Sequence, residues 1–394
     1  MFTLSSLPLR GGVRWPIFSA TLIGYFVLSA LNGAAQLTIL HSFGDGTVPN
    51  DGARPQAGLI QASDGNFYGT TGDTALNPFG SGVIFQMTSA GAVSTLYTFT
   101  GLNLSPSLLL LYNGDLVGTT SIGGRGVDSY GTPGFGTIFK TSLSGQTVFL
   151  QEFSSDSNYP IGNLIPGPNG ELYGTSGSAD NQVGGTAFKY NPVTKKLTVL
   201  HSFAARSGPE TPLLLGQDGN FYGSSRASNN TTSAIFMMTP AGNVTILYTF
   251  PPFAVAAGPM IQDAAGNFYG TTDLNGAYSS GTVFKMTSQY VVTILHSFGG
   301  SGDGLGPDNG VVIGPDGNLY GTTPQGGTKD AGVIYQLAPD GSTYTILHHF
   351  YDGSVANDGY QPNAPLIVGA DNNLYGTTRW GGSANLGAIF KIVP

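Results

Sequence analysis

One phrase recurs along almost the whole chain: VTILHSF, a Gly/Asp-rich loop, then NGVVIGPDGNLYGTT, read most cleanly over 292–323. Variants of it fill nearly everything after residue 36. The pair Tyr-Gly, or its stand-in, marks the register at Gly69, Gly118, Gly174, Gly223, Gly270, Gly321 and Gly376, with spacings of 49, 56, 49, 47, 51 and 55 residues. Self-similarity at such a period means a repeat architecture. One supersecondary unit recurs and buries its apolar faces against its neighbours.

Each unit splits into four strand-like pieces. In the first they are AGLIQA (57–62), NFYGTT (66–71), GVIFQMT (82–88) and VSTLYTF (93–99), here called a, b, c and d. Strand c carries apolar side chains on both faces, Val83, Phe85 and Met87 on one and Ile84 on the other. A strand covered on both sides reads this way. The a–b link is a turn: Asp64-Gly65, Asn113-Gly114, Asn169-Gly170, Asp218-Gly219, Gly266-Asn267, Asp316-Gly317. Gly and Asn supply the positive φ that tight hairpins need. A Ca²⁺ reading of these triplets loses to the turn reading, because a calcium loop alternates oxygen ligands over about a dozen residues.

Strand c occurs seven times, at 82–88, 136–142, 185–191, 233–239, 281–287, 332–338 and 387–393. Strand d also occurs seven times, at 37–43, 93–99, 147–153, 197–203, 244–250, 292–298 and 344–350. The chain therefore opens on a lone d and closes on a c. A linear stack would leave half a unit at each end. In a ring the first d completes the last unit. The sequence predicts an all-β, seven-bladed β-propeller of four-stranded antiparallel blades, closed by strand 37–43 pairing with 387–393. Residues 36–394 then form a single domain.

The phrases LHSF, DGNLYGTT and GGxxxxGxIFK resemble the bacterial Gloeo/Verruco-type (GloVer) tandem repeat. The likeness covers about 37–394, and the second repeat is the most degraded, with LVGTT for LYGTT. The resemblance implies a propeller-like exported protein of unknown function, with no catalytic residues to carry over.

Residues 1–35 fit export. MFTLSSLPLRGGVR is basic and free of acids, WPIFSATLIGYFVLSAL is uncharged and apolar, and Gly33 and Ala35 are small residues before a cleavage point. This is the three-part secretory signal. The competing reading is an uncleaved anchor, for which the run is at the short limit. The expectation is a secreted protein, extracellular or periplasmic, released from the membrane after cleavage and monomeric. Net charge is −8, and −10 without residues 1–35. With no Lys/Arg cluster, nucleic acid is excluded as a partner. There is no cysteine, so neither a disulfide nor a thiolate metal site exists.

In an antiparallel blade the a–b and c–d turns share one end, and here they are short. The b–c and d–a loops share the other end and are long and variable. Function on a rigid scaffold concentrates on such loops. Three consecutive d–a loops carry paired acids: Asp45 and Asp51, Asp303 and Asp308, Asp352 and Asp358. The adjoining b–c loop of the seventh blade adds Arg379 and Trp380, the latter the sole Trp after residue 35. Carboxylates beside an indole suit sugar hydroxyls, or a cation such as Ca²⁺ together with a polar ligand, though no specific calcium motif is present. These eight residues are the candidate ligand site, for a polysaccharide or a surface protein. Asp-Gly turn chemistry is the structural alternative. Of the five histidines, His41, His201, His296 and His348 occupy one repeat position, which different blades hold far apart. A structural role is expected for them, with no metal and no cofactor. Hydrolase, esterase and phosphate-loop motifs are absent. A non-catalytic binding propeller is the favoured class. The alternatives are a carbohydrate-active hydrolase or lyase using Asp residues of the same face, and a surface spacer.

Overall fold

The computed structural model describes residues 36–73, 82–100, 109–124, 134–154, 159–177, 184–227 and 232–394. The signal-like segment 1–35 lies outside the described residues, as do parts of the b–c loops of the first four blades. Regular structure in the described part is all β. Blade 5 shows the plan, with Ala256–Gln262, Phe268–Thr272, Thr282–Met286 and Val292–Ser297 in spatial order a-b-c-d. Seven such sheets form the propeller. The seventh is completed by Gln36–Ser42, which runs antiparallel to Ala388–Val393 from Gln36↔Val393 to Ser42↔Ala388. The closure expected from the phase offset is therefore present.

The repeated Tyr-Gly has a packing cause. A Cβ on Gly69 would lie 2.4 Å from Phe85 Cζ, and one on Gly376 would lie 2.5 Å from Phe390 Cζ. In every blade an aromatic ring of strand c lies over the glycine of strand b. Such rings make the cores between blades. Phe43, Phe67, Phe85, Met87, Tyr375 and Ile389 pack together where blade 7 meets blade 1. The a–b turns are self-contained. Asp316 accepts from Asn318 N at 3.1 Å, Asn318 Nδ2 at 2.6 Å and Tyr320 OH at 2.9 Å. Asp64, Asp218 and Asp371 hold the same three groups. Their oxygens are engaged within the turn.

Two features depart from the four simple strands of the sequence reading. Strand d carries a bulge in every blade, between Ile39 and His41 in blade 7 and between Ile294 and His296 in blade 5. A bulge inserts one residue and reverses the faces beyond it. Leu37 and Ile39 consequently pack toward blade 6, and Leu40 and Phe43 toward blade 1. The innermost strand of blade 1 is also two pieces, Ala53–Pro55 and Ile60–Gln61, both on Phe67–Asp73. It starts inside the segment read from sequence as loop. Neighbouring inner strands touch around the ring. Asn309 Nδ2 donates to Pro362 O at 2.7 Å, and a Cβ on Gly258 would meet Gly310 N at 2.2 Å.

Candidate site at the mouth of the ring

Three of the d–a loops share a pattern, Asp-Gly-x-x-Pro, as Asp51 to Pro55, Asp303 to Pro307 and Asp358 to Pro362. The first residue of this rule turns back onto the preceding blade. His41 Nε2 lies 2.7 Å from Asp51, His296 Nε2 2.9 Å from Asp303 and His348 Nε2 2.9 Å from Asp358. Backbone N–H groups add to this, from Gly44 to Asp51 and from Tyr351 to Asp358. Tyr344 OH donates to Asp303 at 2.5 Å. Burial pushes the Asp303 carboxyl up, but the hydrogen bonds from His296, Tyr344 and Gly304 outweigh it and leave the pKa lowered. Three of the six expected acids thus bind the repeat histidines, as loop staples. Asp45 and Asp352 cap their own loops, accepting from Thr47 N and Ser354 N, each at 2.8 Å.

The remaining expected residues lie closer to the axis. Asp308 follows Pro307 at the channel end of the inner strands, with its carboxyl reached by solvent. Protein crowding at that rim removes enough water to raise its pKa to about 6, and the charge of Asp273 adds to the rise. Asp273 directly follows strand b of blade 5. Burial raises its pKa too, against the Arg226 guanidinium, and its Oδ1 is buried without a hydrogen-bond partner among the described residues. Glu210 stands in the position of Asp308 two blades earlier. It accepts from Arg226 Nε at 2.7 Å and Ser233 Oγ at 2.5 Å, yet burial keeps its pKa raised. Blades 4 to 6 therefore present three crowded carboxyls and one arginine.

Blades 7 and 1 present the opposite charge. Arg379 occupies the strand position of Arg226 and Asp273, and its Nε is buried without a partner among the described residues. Trp380 is half-buried. Arg54 of blade 1 places its guanidinium carbon 4.3 Å from the indole centroid, that of Arg379 lies at 5.8 Å, and Tyr360 stacks nearly parallel at 6.5 Å. The indole is thus engaged by its own chain.

Sequence reasoning missed Glu210, Arg226, Asp273 and Arg54. The signal was there in columns: the residue after the inner-strand Pro (Gln56, Glu210, Asp308, Asn363) and the residue after Tyr-Gly-x-x (Arg226, Asp273, Arg379). It also missed three displayed rings. Phe253, Tyr278 and Tyr351 are 66%, 60% and 64% exposed, all on the long-loop face. Phe253 and Tyr351 hold φ of 67° and 59°, a region that bulky residues avoid. Among the described residues no group of three His, Asp or Glu side chains could hold a metal ion.

The sequence profile of the Gloeobacter/Verrucomicrobia repeat matches residues 126–259 and 255–394. No curated protein sequence matches the chain. Among solved structures, the chain is similar to the extracellular domain of a putative hybrid two-component system from B. thetaiotaomicron. That likeness has a TM-score of 0.59 and 10% identity, over 90% of this chain and 39% of the other, longer one. It is similar to an oligogalacturonate lyase in complex with manganese, with a TM-score of 0.57 and 12% identity over 91% and 93% of the two chains. It is also similar to a periplasmic gluconolactonase from Pseudomonas aeruginosa, with a TM-score of 0.53 and 14% identity over 74% and 84%. These likenesses speak for the fold, which hosts many functions.

Proposed function

This chain belongs to the Gloeobacter/Verrucomicrobia repeat family, and we propose that it is an exported, non-catalytic propeller that binds a glycan at the mouth of its long-loop face. The observation that carries this reading is the set of exposed rings, Phe253, Tyr278 and Tyr351, in the long loops of the face that also carries Asp273 and Asp308. Holding two of those rings at positive φ costs about 1–3 kcal/mol each without burying them. Exposed rings offer flat apolar platforms to the C–H face of a sugar. Asp273 and Asp308 would accept from its hydroxyls, and Arg379 would donate to ring or carbonyl oxygens. Among the described residues no helix is long and apolar enough to cross a membrane.

A second reading, a hydrolase or lyase, has one observation in its favour. Burial raises the Asp308 pKa to about 6, and the charge of a second carboxyl, Asp273, adds to the rise. A carboxyl of that kind is partly protonated near neutrality and could act as a general acid.

One experiment separates the two. A panel of polysaccharides is scored for retention of the protein and for release of soluble fragments. Retention without fragments is expected. Phe253→Ala, Tyr278→Ala and Tyr351→Ala should each weaken retention at unchanged melting temperature. Variants that are all retained like the parent would reject the site. Fragments that Asp308→Asn abolishes would establish the enzyme instead.

A further inference from the structure

The blade 3 to blade 4 junction breaks the staple rule in one particular. Pro209 pairs with Ser225 as Pro55 pairs with Thr71, each opposite the second residue after Tyr-Gly. Four residues before Pro stand Asp51, Asp303 and Asp358 at three other junctions. Here that position is Ala205. The histidine remains, as His201, packed edge-on against Phe203 at 4.7 Å like its counterparts. No side chain among the described residues hydrogen-bonds it. The loop is also shorter, 204–208 against 44–54 at the junction of blades 7 and 1. There the longer loop covers the outer strand of blade 1, with Thr95 Oγ1 donating to Asn50 O at 3.0 Å.

A cavity of about 410 Å³ opens beside His201, walled by Phe203, Ala234, Val244 and Ile246, with Ser207 and Arg226 at its margin. Arg226 keeps its ion pair with Glu210. Burial lowers the His201 pKa, which favours the neutral ring at physiological pH. A neutral imidazole still carries one N–H donor.

We propose that this cavity binds a small carboxylate with an apolar body, whose carboxyl takes the place that Asp51, Asp303 and Asp358 fill at their own junctions. The ligand's oxygen meets the His201 N–H, and its apolar body covers Phe203, Val244 and Ile246. The cavity adjoins the mouth of the ring through Arg226, and the proposal does not rest on the glycan reading.

The test uses the full chain with ¹³C-labelled histidine, titrated with benzoate and with benzamide, its uncharged isostere. The His201 ring signal is assigned by its loss in His201→Tyr, a residue that Tyr97 and Tyr248 show the repeat position accepts. Benzoate should shift the His201 signal saturably, and benzamide should bind about tenfold more weakly or worse, since it leaves the charge-assisted hydrogen bond unmade. Ala205→Asp should restore the internal staple and abolish benzoate binding. His201→Tyr should abolish it as well, read by calorimetry. A His201 signal unmoved by benzoate, equal binding of benzamide, or undiminished benzoate binding by the folded variants would each overturn the proposal. Asp308→Asn should leave benzoate binding unchanged, which keeps this outcome apart from the mouth.

Discussion

Two residues show how placement, not type, decides chemistry. Asp308 and Asp51 are both loop aspartates, five positions apart in the Asp-Gly-x-x-Pro-x frame, yet Asp51 is 1% exposed and held by His41 while Asp308 is exposed at the rim. The raised pKa of Asp308 makes a signed prediction. Its folded value, about 6, exceeds the ordinary 3.8, so the folded state binds more protons between those values. Its contribution to stability therefore falls as pH rises from about 4 to about 6. Asp308→Asn should melt higher than the parent at pH 7.5 and alike at pH 4, by calorimetry. Equal melting temperatures at both pH values would show that the carboxyl is not crowded. Trp380 makes the second. Arg54 over its face and Tyr360 beside it imply that Trp380→Ala lowers stability. The Arg54–Trp380 coupling in a double-mutant cycle should be about 0.5–1 kcal/mol. A Trp380→Ala protein that melts like the parent but loses glycan retention would make the indole a ligand platform, as the sequence alone expects.

At the scale of elements, the outer strand d does two jobs. Its bulge lets one strand bury side chains against the blades on both sides, and in three blades a histidine near its end fastens the next loop. His348→Ala strips Asp358 of a buried partner, which typically costs about 1–3 kcal/mol. His201→Ala removes no such pair and should cost less, as denaturant midpoints would show. Equal losses would mean that the His–Asp pairs do not staple the loops. The closing strand is the sharper case. Leu37 and Phe43 are buried, and Ile39 and Leu40 pack on the clusters either side. Full burial of such side chains stabilises by about 1.5–3 kcal/mol each, together comparable with the net stability of a domain. Deleting 36–43 also bares the edge of Ala388–Val393, a template for intermolecular pairing. Aggregation or a large fall in melting temperature is expected. A deletion variant that melts like the parent would mean that the ring does not need its closure.

Residues 36–394 form a ring whose sides differ in charge. Blades 4 to 6 bring Glu210, Asp273 and Asp308 to the mouth, and blades 7 and 1 bring Arg379 and Arg54. A ligand lying across the mouth would meet acceptors on one side and donors on the other. Export bears on the closing strand as well. Cleavage after Ala35, the site expected from sequence, would start the mature chain at Gln36, the first residue of the strand that pairs with Val393. N-terminal sequencing of secreted material should begin at Gln36, within a residue or two. Full-length protein retained in the cytoplasm would reject export.

The repeat wording alone determined the number of blades, the four strands in each and the closure, because each of these depends on local pattern and phase. Strand c reads as covered on both faces from Val83, Ile84 and Phe85, and the a–b turns read from Asp-Gly. The bulge in strand d was not legible, since Ile39 and Leu40 look like any apolar pair until the neighbouring blade shows where each must go. The loop acids were legible as a set but not by role. Whether Asp303 is a staple and Asp308 a rim carboxyl depends on which atoms of other blades lie within about 3 Å. That distance comes from closing seven sheets around one axis. Tertiary structure alone likewise placed Glu210, Arg226 and Asp273 together, and Arg54 against Trp380. It alone showed the cavity beside His201.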